Sequence, residues 1–151
     1  MTVGYGHTQR GDVLIAILGF GAALDLTIAA LIGRRDHTGL LVTLTTGVAL
    51  LVALVLFSAM TVTVDAAGVT LIMLRGLLVR RFPHIEIAAC RVVRNPWYAG
   101  LGIHAGPGYV VYNVSGRSAV ELELSSGRRV RLGSDEPDAL AAAIGADKLR
   151  R

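Results

Sequence analysis

Residues 40–60, LLVTLTTGVALLVALVLFSAM, form a run of about 21 residues without a charge. At about 1.5 Å per residue a helix of that length covers the ~30 Å hydrocarbon core of a bilayer. The run passes straight into TVTVD at 61–65, where apolar and polar residues alternate as in a half-buried strand. An apolar helix is therefore expected to hand over to a β-rich domain with no Gly, Pro or polar spacer. The change from helix to strand is expected between about Ser58 and Val62.

Residues 13–33 form a second apolar run, interrupted near its middle by Asp25. An Asp at a helix centre costs roughly 3 kcal/mol on the insertion scale, and about eleven Val, Leu, Ile and Phe residues at about −0.3 to −0.6 kcal/mol each offset it. Between the two runs, Arg34-Arg35-Asp36-His37-Thr38-Gly39 makes a short polar turn, so the expectation is an antiparallel transmembrane hairpin, 13–33 and 40–60. Residues 1–12 are short, polar and Gly-containing and read as a loose tail. They make a poor signal peptide, because the basic segment is thin and the apolar run after it too long.

Asp25 is the most unusual residue of the chain. Gly21, Asp25 and Ala29 share one helix face, and small residues there let another helix approach. Across the hairpin, Asp25 falls at the level of Gly47, with Thr43, Thr45 and Thr46 about one turn away. The first expectation is a protonated Asp25 hydrogen-bonded to the hydroxyl of Thr43 or Thr46, or to a carbonyl, locking helix packing, in a homo-oligomer as well as in one chain. The alternatives are a proton or ion path and pairing with a membrane partner. A hairpin puts both termini on one side. Arg10, Arg75, Arg80 and Arg81 favour the cytoplasm for that side, against Arg34 and Arg35 in the turn.

Of the 151 residues, about 90 then remain for one small domain at 61–146, followed by a tail at 147–151. The hydrophobic content of 53% and mean hydropathy of +0.58 come largely from the two apolar runs. Cys90 is the single cysteine, which excludes an internal disulfide. Strand and turn signals follow closely: 61–64, 69–74, 77–82, 85–94, a short strand at 101–104, then 109–114, 119–124 and 128–132. Pro83 ends the third, since proline removes a ladder donor. The last hairpin can be placed in register. A three-residue loop, Ser125-Ser126-Gly127, sets Leu122 opposite Val130, Glu123 opposite Arg129 and Glu121 opposite Arg131, with Gly127 at the left-handed position. As exposed pairs, these Glu–Arg contacts would be worth only tenths of a kcal/mol. A helix over the ALAAAI segment follows, capped by Ser134 or Asp135, packed through Leu140 and Ile144, and ended by Gly145.

The stretches VTVDAAGVTL, RRFPHIEIAACRVV and AVELELSSGRRVRLGSDEPDALAAAI, with the apolar spans before them, resemble small bacterial membrane proteins that carry PH-like domains, common in actinobacteria. The resemblance implies an α+β chain: a two-helix transmembrane hairpin, then a PH-like barrel or sandwich of about seven antiparallel strands in meander order, closed by a C-terminal helix. It also implies the bacterial cytoplasmic membrane, with the domain cytoplasmic.

No residues stand at the spacing of a catalytic set. Gly100, Gly102, Gly106 and Gly108 do not match a dinucleotide fingerprint. His84, Cys90 and His104 lack metal-ligand spacing, and Cys90 reads as a small core residue. Neither enzyme activity, cofactor, metal nor nucleic acid is expected. Asp65-Ala66-Ala67-Gly68, the first hairpin turn, carries no basic residue, which argues against specific phosphoinositide recognition. Arg75, Arg80, Arg81, Arg91 and Arg94 form a locally basic block, either a solvated face or a membrane contact worth about 1 kcal/mol per side chain. Trp97 and Tyr98 read as buried against the barrel, or else as interface aromatics. The functional expectation is an interaction module that docks a protein partner or the anionic leaflet beneath it. The alternative is a small transport or membrane-complex subunit built around Asp25.

Overall fold

The computed structural model describes residues 3–32, 36–97 and 101–149. The first element corrects an expectation: the N-terminal segment is strand β1 (Val3–Arg10), not a loose tail. Tyr5, His7 and Gln9 alternate inward, while Gly4, Gly6, Thr8 and Arg10 face out. Too polar to announce itself, this alternation becomes a strand because a partner lies beside it. That partner is β2 (Ala59–Asp65), with Arg10 opposite Ala59, His7 opposite Val62 and Tyr5 opposite Val64.

Everything between these paired strands is the helical hairpin. Helix α1 (Asp12–Ile32) and helix α2 (His37–Phe57) pack antiparallel. Contacts descend α2 as they ascend α1: Gly19 approaches Leu54, Gly21 approaches Leu50, and Gly47 approaches the Asp25 Cβ. The second helix starts and stops about three residues earlier than expected. Asp36 caps its start by accepting from the Thr38 N–H, and strand pairing from Ala59 onward ends it. Each helix has the length and composition to cross a membrane, and little of either is buried: Phe20, Leu31 and Leu41 stand exposed. The turn residues Arg34 and Arg35 lie outside the described residues. The junction is abrupt, with Phe57 helical, Ser58 the cap and Ala59 already in β2.

After the junction the chain is sheet-rich. Strands β3 (Gly68–Met73) and β4 (Leu78–Pro83) complete a four-stranded sheet in the order β1-β2-β3-β4. A second sheet holds β5 (Ile87–Arg94), β6 (Gly102–Gly106), β7 (Tyr109–Asn113), β8 (Ser118–Leu124) and β9 (Arg129–Gly133), in the order β5-β8-β9-β7-β6. The expected meander of about seven strands is thus replaced by nine described strands in two sheets that do not close into a barrel. The pair β7·β9 is parallel. Crossing over rather than turning back is what breaks the meander: β8 leaves β7 to pair with β5, and β9 then fills the space between β8 and β7.

The core lies between the sheets. Met60, Val62 and Val64 face Val69, Leu71 and Met73 across β2·β3, and Val120, Leu122, Val130 and Leu132 supply the opposite wall. Helix α3 (Pro137–Leu149) closes it with Leu140 and Ile144, both fully buried as their four-residue spacing requires. Gly145 does not end this helix, which runs on to Leu149 past the expected boundary at 146. The β8–β9 register is the expected one, with Leu122 opposite Val130 and Gly127 at φ +78°.

Two glycines make opposite predictions. A Cβ on Gly11 would lie 2.8 Å from the Val114 carbonyl oxygen and 3.3 Å from that of Phe57. Gly11→Val should therefore destabilise the junction by about 1–3 kcal/mol. A Cβ on Gly145 meets nothing, so Gly145→Ala should stabilise by roughly 0.5–1 kcal/mol. Thermal unfolding of the detergent-solubilised chain, followed by circular dichroism, checks both signs.

Candidate membrane-facing surface

Strand register sorts the basic residues by height above the helices. Met60 pairs with Met73 and Met73 with Leu78, so the β3–β4 turn lies beside the start of β2 and the end of α2. That turn is a 3₁₀ segment, Leu74–Gly76, in which Leu74 and Arg75 hold positive φ of 53° and 58°. The strained turn buries part of Leu74 in the core and leaves Arg75 and Leu77 outside, Leu77 at 78% exposure.

The second sheet reaches the same end by other contacts. Gly11 packs on Val114, the Gln9 Nε2 donates to the Ser115 carbonyl at 3.0 Å, and Gly102 lies near the Phe57 ring. The β7–β8 connection therefore abuts the helix junction. The end of β5 is tied to it, because the Asn95 N–H donates to the Arg117 carbonyl and the Arg117 Nε donates to the Asn95 carbonyl. Arg94, Trp97 and Arg117 lie along this edge and are exposed, Trp97 at 80%. Burial of Trp97 against a barrel is thus corrected: the indole stands exposed just past the end of β5. Tyr98 lies outside the described residues. Arg10 joins the group as the last residue of β1, opposite Ala59.

The remaining candidates part company. Arg80 and Arg81 sit farther along β4, at an edge of the first sheet. Arg91 is committed elsewhere. Its Nε and Nη2 donate to the Glu121 Oε1 at 3.0 and 2.5 Å, and the Arg131 Nε donates to Oε2 at 2.6 Å. Arg131 also donates to the Asn95 Oδ1 at 3.3 Å and lies over the Tyr109 ring at 3.8 Å. The expectation of exposed, weak Glu–Arg pairs fails here, since the Glu121 side chain is 1% exposed. Alternation placed Glu121 on the outer face, but Arg131, Arg91 and Asn95 cover that face.

Burial alone would raise the Glu121 pKa. Hydrogen bonds from Arg131 and Arg91, with their charges, outweigh it and hold the carboxyl below the usual range. Because the folded pKa is depressed, the stabilisation is complete above the unfolded Glu value of about 4.3 and is lost as pH falls through the folded value. Glu121→Ala strands the Arg131 guanidinium, whose side chain is 14% exposed, and should cost about 3 kcal/mol. Arg91→Ala should cost much less, its side chain being 62% exposed. Denaturant titrations from pH 3 to 7 test this: Glu121→Gln should flatten the acid limb of stability relative to wild type.

Among the spans, Asp25 does face Gly47, with 3.4 Å between its Cβ and a Cβ built there. The structure does not bring it to the threonines. Thr43 donates to the Gly39 and Leu40 carbonyls, Thr45 to Leu41 and Thr46 to Val42. These hydroxyls satisfy themselves within their own helix turn, and among the described residues the Asp25 carboxyl has no hydrogen-bond partner.

The arrangement can thus present a mixed surface at the helix end of the domain: four exposed arginines, Arg10, Arg75, Arg94 and Arg117, with apolar Leu77 and Trp97. Sequence reading missed Arg117 and Leu77 because strand pairing alone brings them to the junction. Compared with protein-family models, curated proteins and solved structures, the chain matches none.

Proposed function

We propose that this protein is a multi-pass, membrane-anchored interaction module, not an enzyme, whose domain is seated on the anionic cytoplasmic leaflet of a bacterial membrane by the arginine, Leu77 and Trp97 collar. The observation that carries this is the double junction. Both helices continue into strands paired to each other, and the Gly11 N–H donates to the Ser58 carbonyl at 2.9 Å. With two connections and no spacer, the collar is held at the level where the helices leave the bilayer. Basic side chains there contribute about 1 kcal/mol each on an anionic surface, and Trp favours that depth. Arg10, Arg75, Arg80 and Arg81, close to the span ends in sequence, support the cytoplasmic side, against Arg34 and Arg35 between the spans. PH-like kinship belongs to this proposal. Two sheets closed by a C-terminal helix support it, while the β5–β9 order and the parallel β7·β9 pair depart from it.

Trp97 is the single tryptophan of the chain, so its fluorescence reads the proposal directly. In nanodiscs, lipids brominated near the headgroup should quench it, more strongly with anionic than with zwitterionic lipid. Arg75→Glu combined with Arg94→Glu should reduce that quenching. Emission at the wavelength of fully hydrated tryptophan, unaffected by brominated lipid, would count against leaflet seating.

A second reading, a subunit of a membrane complex, rests on the carboxyl of Asp25, which has no hydrogen-bond partner among the described residues. Asp25→Asn should then preserve co-purification of the complex, whereas Asp25→Leu should abolish it. Equal behaviour of the two variants argues for simple packing against Gly47.

A further inference from the structure

We infer that the open side of the domain, between the free edge of β4 and the inner face of the second sheet, docks an acidic, extended peptide segment of a partner protein. The first sheet ends at β4, whose outer backbone edge pairs with no other strand among the described residues. Beside it the sheets splay around a cleft of about 400 Å³. Phe82, Val110, Tyr112 and Val130 form its apolar lining, and Arg80, Arg81, Arg128 and Glu86 its charged wall. Among the described residues, none of these three guanidinium groups has a hydrogen bond or ion pair. Three unpartnered cations against one carboxylate leave the cleft positive, over a floor that takes side chains.

An unpaired strand edge is a template for a further strand, and charges along it decide which strands are admitted. A second copy of β4 would bring Arg80 and Arg81 against their own equivalents, and like charges directly opposed destabilise a pair. Neutral segments would leave the arginines unanswered. A segment alternating acidic and apolar residues answers both features, with its acidic face on Arg81 and its apolar face on the cleft floor beside Phe82. Height above the collar favours a peptide over lipid as the occupant. Arg80, Arg81 and Phe82 stand two to four residues up β4 from Leu78, about 7–13 Å beyond the collar at 3.3 Å per residue. Occupancy of the cleft is accordingly independent of leaflet seating, and either can fail without the other.

The full chain in nanodiscs of zwitterionic lipid provides the test, with a capped ten-residue peptide alternating Glu and Val as probe. Backbone amide shifts should saturate and concentrate at residues 80–83 and 110–112, and isotope-edited infrared spectra should report the bound peptide as extended. The matching Lys–Val peptide should bind at least about tenfold more weakly, and so should the Glu–Val peptide to Arg80→Glu/Arg81→Glu. Both side chains are exposed, so that variant should retain its spectrum elsewhere. The inference is overturned by the absence of a saturable shift, by a helical bound peptide, by shifts centred elsewhere, or by equal binding of the two peptides. It is also overturned if a ten-nucleotide thymidine oligomer occupies the cleft and the acidic peptide does not.

Discussion

The rest of the structure depends on the pairing of β1 with β2 across the mouth of the helical hairpin. Closing residues 11–58 into one loop would carry an entropic cost if the loop were flexible. It is not: α1 and α2 pack along their length through Gly19, Gly21, Ala22, Ala29 and Gly47, so their ends already lie together. Strand pairing then proceeds from Arg10 and Ala59 with little further ordering. In return, the ladder fixes the splay and register of the two helices. Gly11 stands at the centre of this exchange because the chain crosses under the Val114 carbonyl with no room for a side chain.

The same pairing gives the domain a fixed up and down. Strands leave the junction together, so residues a few positions along a strand separate into levels about 3.3 Å apart per residue. Three roles for arginine result. Near the helices, Arg10, Arg75, Arg94 and Arg117 are exposed beside Leu77 and Trp97. Midway, Arg91 and Arg131 are both tied to the buried carboxylate of Glu121, which fixes their guanidinium groups in place. On the open side, Arg80, Arg81 and Arg128 border the cleft with no partner among the described residues. The Glu121 cluster also has a structural task. It crosses β5, β8 and β9 and reaches Asn95 and Tyr109, binding the sheet on the face away from the core.

Charge count and spacing were therefore poor guides to role. Arg80 and Arg81 are neighbours in sequence and share the cleft. Arg91 and Arg94, three residues apart on one strand, end at a buried carboxylate and at the helix junction respectively. Within the hairpin, the approach of Asp25 to Gly47 followed from antiparallel spacing alone. The threonines did not follow, because a helical Thr hydroxyl reaches the carbonyl three or four residues back more readily than a neighbouring helix.

The sequence by itself determined what is local. Two long apolar runs make helices, strand and turn signals make the eight strands after them, and the Ser125-Ser126-Gly127 loop sets the last hairpin's register. Four-residue spacing buries Leu140 and Ile144. The lack of a spacer after Met60 makes the junction abrupt. Only the tertiary structure decided what depends on distant segments meeting. The polar N-terminal residues became β1 because the hairpin returns β2 beside them. The chain gave up a meander for the β5-β8-β9-β7-β6 order because β9 finds its second partner in β7, across a crossover that no local pattern encodes. Glu121 is buried for the same reason: alternation assigns a face, and whether that face meets water is settled by what the rest of the chain lays over it.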